Sequence, residues 1–165
     1  HGVAALGYAL VEDARPGVFD PERAEQLGVT PGPDFGRLQE GETVNGVAPD
    51  QVMGETRRGR RVVLAGDTAP CEMTRLVAFE ADLLIHEATF GEEEAARALE
   101  TQHATAKEAA QVAKMAGVKH LALTHLSARY SSNPSTLLAE AREVFPNAVI
   151  AKDGMVIDIP FAAEA

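Results

Sequence analysis

The sequence predicts an α/β fold with a layer of parallel strands, and three observations predict it. Short apolar runs alternate with segments of helical periodicity, the pattern of strands joined by helical crossovers. Three of those runs stop on residues able to do chemistry: Arg61 to Gly66 at Asp67, Asp82 to Ile85 at His86-Glu87, and Lys119 to Thr124 at His125. Parallel sheets gather ligands at the carboxyl ends of their strands. Asp67, Glu87 and His125 are therefore expected to meet in space.

Taken in order, residues 3–11 read as a buried strand. Residues 12–46 differ in character, with four of the nine prolines and six of the fourteen glycines. Asp20 is placed to cap a short helix from Pro21 to Leu27, with Gly28 past its end. Pro31-Gly32-Pro33 is read as neither helix nor central strand. So punctuated an insertion is expected to be a functional loop or arm, the bland reading being a surface connection. Arg57, Arg58, Arg60 and Arg61 read as a solvated basic turn, or more sharply as a phosphate-facing patch.

Residues 71–80 are expected to be helical and to lay Met73, Leu76, Val77 and Phe79 on the sheet. Glu92 to Thr101 is a further helix, with acids in its first turn where the dipole favours them. Thr105-Ala106-Lys107-Glu108 matches a capping box, so the next helix starts at Thr105 and ends at Gly117. His103 then sits just before a defined helix start. Residues 135–144 form the last helix, closed by Pro146. Ala148 to Ala151 and Met155 to Ile159 suit two closing strands around a Lys152-Asp153-Gly154 turn.

The chain of 165 residues is long enough for one domain with a core, and 45% of it is apolar. No apolar run approaches the roughly 20 residues that span a bilayer. The single cysteine, Cys71, cannot form an internal disulfide, so a reducing cytoplasmic setting is expected, with the thiol at least half-buried. A formal charge of −10 argues against non-specific coating of nucleic acid but not against grip through a few placed arginines. The chain opens on His1-Gly2 without an initiator methionine, so one piece of a larger enzyme is expected.

Imidazole and carboxylate are what zinc takes where thiolates are lacking. His1, Asp67 and His125 supply two imidazoles and a carboxylate, and a carboxylate can bridge two metals. The bland readings are a turn-capping aspartate and a hydrogen-bonded core histidine. Glu87 could fix the tautomer of His103, whose imidazole would then protonate a leaving alkoxide; alternatively Glu87 caps the helix near Gly91 and His103 is merely exposed. Arg129, four residues after His125 and close to Ser127, could hold a phosphate oxygen or lie in a surface ion pair. His120 looks structural.

Gly66-Asp67-Thr68, His86-Glu87-Ala88-Thr89-Phe90, His103-Ala104-Thr105 and Leu123-Thr124-His125-Leu126-Ser127-Ala128-Arg129-Tyr130 resemble ribonuclease Z, the tRNA 3′-end endonuclease of the metallo-β-lactamase superfamily. His1 with Gly7-Tyr8 is similar to that family's ligand histidine six residues before Gly-Tyr, and Pro31 to Phe35 to the Gly-Pro loop of its protruding arm. The resemblance implies an αβ/βα sandwich of which about one half to two thirds is present, the carboxy-terminal part of one domain over 1–165, with residues 12–46 as an inserted tRNA-binding arm. It implies two zinc ions, with manganese or magnesium as substitutes, and hydrolysis of precursor tRNA to release its 3′ trailer. His1, Asp67 and His125 would be metal ligands, His103 the general acid oriented by Glu87, and Arg129 with Ser127 the phosphate contacts. A homodimer is implied. Two departures stand out. The family's His-x-His-x-Asp-His box would lie in an amino-terminal half that precedes His1, and His103-Ala104-Thr105 replaces the usual His-Ser-Thr. The resemblance aside, another ester or phosphodiester hydrolase of the superfamily, or a non-catalytic half-domain, would also fit.

Overall fold

A computed structural model describes residues 4–161. Two compact units divide the chain: one takes in the segment up to Val11 and that from Arg60 onward, the other is Glu12–Gly59.

The first unit is a five-stranded sheet in sequential order: β1 (Tyr8–Val11), β2 (Arg61–Leu64), β3 (Leu83–Glu87), β4 (His120–Thr124) and β5 (Ala148–Ile150). The first pairing is antiparallel and the other three are parallel. Register aligns Val63, Leu84, Leu121 and Ala148 in one row and Tyr8, Leu64, Ile85, Ala122 and Val149 in the next. Side chains alternate along strands, so the two rows face opposite ways. The first row, with Leu123, is buried against helices from the crossovers. In the second row Tyr8 is exposed and Leu64 and Ile85 are half-buried.

The crossover helices follow the sequence closely. The longest of them, Ala106–Ala116, has the capping box its sequence announces: Glu108 N donates to Thr105 Oγ1 (3.1 Å) and Thr105 N to Glu108 Oε2 (2.8 Å). Gly117 closes it at φ +66°, a left-handed conformation that costs glycine nothing. Its alanines 106, 109, 110, 113 and 116 are buried and let Ser135–Val144 pack closely beside it. The 92–101 segment divides into a 3-10 turn, Glu92–Glu94, and a helix, Ala95–Thr101.

Four expectations need correction. The strand at the front is short, lies at the sheet edge and is exposed along its whole length, with a neighbouring strand on one side only among the described residues. The helix Glu72–Val77 turns Ala78 to the core, while Met73, Leu76, Val77 and Phe79 stay exposed. An apolar stripe reads the same whether a helix docks by it or presents it outward. Residues 155–159 form no strand, since they find no ladder partner, although Gly154 does make the turn at φ +76°. Cys71 is exposed at the start of Glu72–Val77, where its Sγ accepts from Thr74 N (3.5 Å).

The second unit has its own small core of Ala24, Val29, Leu38, Val44, Val47 and Val52, flanked by Phe19 and Phe35 with ring centroids 4.9 Å apart. Asp20 caps its first helix, Pro21–Gln26, through Arg23 N (2.9 Å), and Gly28 follows at φ +89°. Its second helix, Pro33–Gln39, begins on a proline the sequence reading kept outside any helix. The first helical position tolerates proline, because its N–H would lack a partner anyway. The compact unit runs on past residue 46 to Gly59.

Candidate functional site

The site forms where β2, β3 and β4 end. Gly66 turns the chain after β2 at φ +68°, and a Cβ there would come within 2.7 Å of the Leu6 carbonyl oxygen. Only glycine combines that conformation with so close an approach, and it sets Asp67 at the sheet edge. At the end of β4, His125 itself adopts φ +54°. A left-handed non-glycine residue costs on the order of 1 kcal/mol or more and persists where its surroundings impose it. Asp67 Oδ2 and His125 Nε2 lie 3.3 Å apart, both half-exposed.

Glu87 closes β3 and is fully buried. Its Oε1 accepts from Thr68 N (3.1 Å) and His103 Nδ1 (2.6 Å). Its Oε2 accepts from Thr89 N (3.0 Å), Thr89 Oγ1 (2.7 Å) and Ala104 N (3.2 Å). Five donors answer the cost of burying the group. His103 Nδ1 is the donor to Glu87, and the ring is stacked on that of His125, with centroids 5.3 Å apart and planes 12° apart. Glu87 therefore orients His103; it does not cap the Glu92–Glu94 turn.

Glu87, His103 and His125 each offer one ligand atom within 4.8 Å of the others, so that trio is one candidate for a metal. Its bonding argues for a different cradle. Both Glu87 oxygens already serve protein donors, and His103 Nδ1 is one of them. Asp67 and His125 fit better. Two ligands about 2.0–2.2 Å from one tetrahedral ion sit roughly 3.3–3.5 Å apart, the separation observed for this pair. Asp67 and His125 are thus within reach of one cation, whereas His1, the third ligand expected from the sequence, lies outside the described residues.

Ser127 precedes a 3-10 turn, Ala128–Tyr130, that contains Arg129. The Arg129 guanidinium pairs with Glu94, and Ser127 N donates to Thr89 O (3.1 Å). Tyr130 Oη donates to Glu93 Oε1 (2.7 Å) and accepts from Gly91 N (2.9 Å). The turn after β4 is thereby tied to the turn after β3. A phosphate contact by Arg129 would have to displace Glu94. Thr89 is the member the sequence reading missed. Its position two residues after Glu87 was the available signal, because period-2 alternation puts both on one side of the chain.

His86, on the opposite face from Glu87, is fully buried. Its Nδ1 donates to Glu87 O (2.8 Å), and Nε2 has no hydrogen-bond partner among the described residues. Burial holds this imidazole below its ordinary value of 6.5, against the opposing pull of the Glu87 backbone and carboxylate. The unfolded chain then binds more protons than the folded one between the depressed value and 6.5. Stability is expected to fall as pH drops through about 6.5, by at most about 1.4 kcal/mol per pH unit for one group. Urea unfolding followed from about pH 8 to 5 checks this. His86→Asn keeps the Nδ1-type donor and should flatten the slope; an unchanged slope would refute the assignment.

No protein-family model matches the chain. It is 54% identical over 168 residues to Ribonuclease Z of Haloferax volcanii, covering 98% of this chain and 53% of that protein. It is 51% identical to Ribonuclease Z of Gemmatimonas aurantiaca (99% of this chain, 54% of that protein) and likewise to that of Myxococcus xanthus (97% and 54%). The chain spans about half the length of the curated relatives it matches. Among solved structures, the metallo-beta-lactamase fold protein YhfI from Bacillus subtilis aligns with TM-score 0.55 and 33% identity over 60% of this chain and 40% of that one. Human tRNase Z, short form, aligns with TM-score 0.50 and 36% identity over 62% and 35%. The chain is thus related to ribonuclease Z along nearly its whole length, and its sheet and helices are part of a metallo-β-lactamase fold.

Proposed function

We propose that this relative of ribonuclease Z forms the carboxy-terminal part of a zinc-dependent endoribonuclease that removes 3′ trailers from precursor tRNA by phosphodiester hydrolysis. The observation that carries the reading is the pairing of two devices side by side: an imidazole held by a buried carboxylate, His103 on Glu87, and the Asp67–His125 cradle beneath its stacked ring. A divalent metal bound there supplies Lewis acidity and lowers the pKa of a bound water. Asp67 and His125 hold it, with His1 as a further ligand. His103 keeps one proton on Nδ1 for Glu87 and delivers a second from Nε2 to the leaving 3′ oxygen. Glu87 stabilises the doubly protonated ring that this step consumes. Arg129 exchanges Glu94 for a non-bridging phosphate oxygen, with Ser127 beside it.

The Glu12–Gly59 unit, with the Gly-Pro segment Pro31 to Phe35, serves as the arm that grips the tRNA body, and the active form is a cytoplasmic homodimer. Asp67, His125 and His1 are three donors, enough for one zinc but not for the two ions of a complete site. On this reading the 165 residues alone are inactive, and the rest of the length seen in the relatives supplies the remaining ligands and covers the exposed row around Tyr8 and Leu10.

The test is cleavage of a 3′-extended precursor tRNA against a generic phosphodiester by the intact protein with zinc. Preferential release of the trailer supports the reading. Hydrolysis of the generic ester alone would overturn it in favour of another metallo-β-lactamase-fold hydrolase, and YhfI, which aligns slightly better than tRNase Z, keeps that second reading in view.

A further inference from the structure

We infer that Thr89 is a positioning residue that sets the proton on His125 and thereby keeps Nε2 of that ring as a lone pair facing Asp67. The inference rests on the reading of Asp67 and His125 as a metal cradle and adds the group that prepares it. Thr89 is buried, and its Oγ1 meets three neighbours: Glu87 Oε2 at 2.7 Å, His125 Nδ1 at 2.8 Å and His103 Nδ1 at 3.2 Å. A hydroxyl has one proton to give and two lone pairs to receive. Glu87 Oε2, which also receives Thr89 N and Ala104 N, can only accept, so the threonine proton goes there. Thr89 Oγ1 must then accept from His125, which puts the imidazole proton on Nδ1. His103 already gives its Nδ1 proton to Glu87 Oε1 at 2.6 Å and makes only a secondary approach to the hydroxyl. One buried carboxylate, relayed through one hydroxyl, thus gives both stacked rings the same tautomer.

The consequence lies on the far side of His125. With Nδ1 protonated, Nε2 presents a lone pair 3.3 Å from a carboxylate oxygen of Asp67, and two acceptors so placed call for a cation between them. Without the hydroxyl, Asp67 would draw the proton to Nε2, the wrong nitrogen for binding a metal. Hydrogen-bonding partners of ligand histidines typically change metal affinity by roughly 10–100-fold when removed. Thr89→Val keeps the volume and branching but loses the hydroxyl.

The experiment is a ¹⁵N–¹H imidazole correlation spectrum of the intact, metal-stripped protein at about pH 8.5, above the ordinary histidine range, with the His125 signals assigned against His125→Asn. The wild type is expected to show His125 in the Nδ1–H form. Thr89→Val is expected to move it toward the Nε2–H form and to weaken zinc binding roughly 10–100-fold, and Thr89→Ser to restore both. An Nε2–H ring in the wild type overturns the proposal without any variant, so a Thr89→Val protein that fails to fold does not shelter it. An unmoved tautomer in Thr89→Val overturns it equally. If the wild-type tautomer is as expected but zinc leaves the His125 signals unchanged, Thr89 keeps its positioning role and the nuclease reading falls.

Discussion

Replacing His103 by alanine is expected to lower kcat on precursor tRNA by roughly 10²–10⁴, the range for loss of a positioned general acid, with zinc content unchanged. The ring is held at Nδ1 by a carboxylate that is itself fully buried, and in the proposed mechanism its other nitrogen exchanges the proton with substrate. Nothing in its bonding requires it to hold the metal, because the Asp67 and His125 tips meet each other without it. Steady-state kinetics and elemental analysis on the same preparation decide between the roles. A fall in kcat with full zinc supports the acid. Loss of zinc in step with activity would make His103 a ligand and favour the Glu87–His103–His125 trio over the cradle described above.

The second large effect is on stability. Glu87→Ala is expected to cost about 3–5 kcal/mol, the scale for removing one partner of a buried ionic and hydrogen-bonded group. Five donors converge on that side chain: three backbone N–H groups, of Thr68, Thr89 and Ala104, the Thr89 hydroxyl and the His103 ring. Deleting the acceptor leaves them facing a cavity, and each unsatisfied buried donor carries a penalty of about 1–3 kcal/mol before relaxation. Glu87→Gln should cost less, since one oxygen still accepts, but its amide N–H₂ must confront donors and should still abolish the tie to His103. Urea denaturation measures both. A loss below about 1 kcal/mol for Glu87→Ala would mean that water replaces the carboxylate freely, and the site would not be the closed network described.

Much of the frame was legible in the sequence for local reasons. Period and punctuation located the three parallel strands that end at the site, β2, β3 and β4, and capping chemistry located the helix beginning after Thr105. The rule that parallel strands present ligands at their carboxyl ends foretold that Asp67, Glu87 and His125 would share one edge of the sheet. What remained hidden was of another kind. Met73, Leu76, Val77 and Phe79 form an apolar stripe, and no stripe says which body it is meant to cover. Residues 155–159 have strand-like composition, but a strand exists only where a neighbour completes its hydrogen bonds. Thr89 reads as an ordinary residue after a strand, and its importance comes from three partners that only the fold brings within reach. The His125 backbone, at φ +54°, is likewise settled by tertiary context, since histidine tolerates this conformation better than most residues but seldom adopts it.

The position of a bound metal separates the Asp67–His125 cradle from the Glu87–His103–His125 trio. Crystals of the intact protein equilibrated with zinc, with anomalous diffraction recorded at the zinc edge, address this directly. A peak within about 2.2 Å of both Asp67 Oδ2 and His125 Nε2 is the predicted result. Zinc bound instead between Glu87 and His103, with Asp67 turned away, would contradict it.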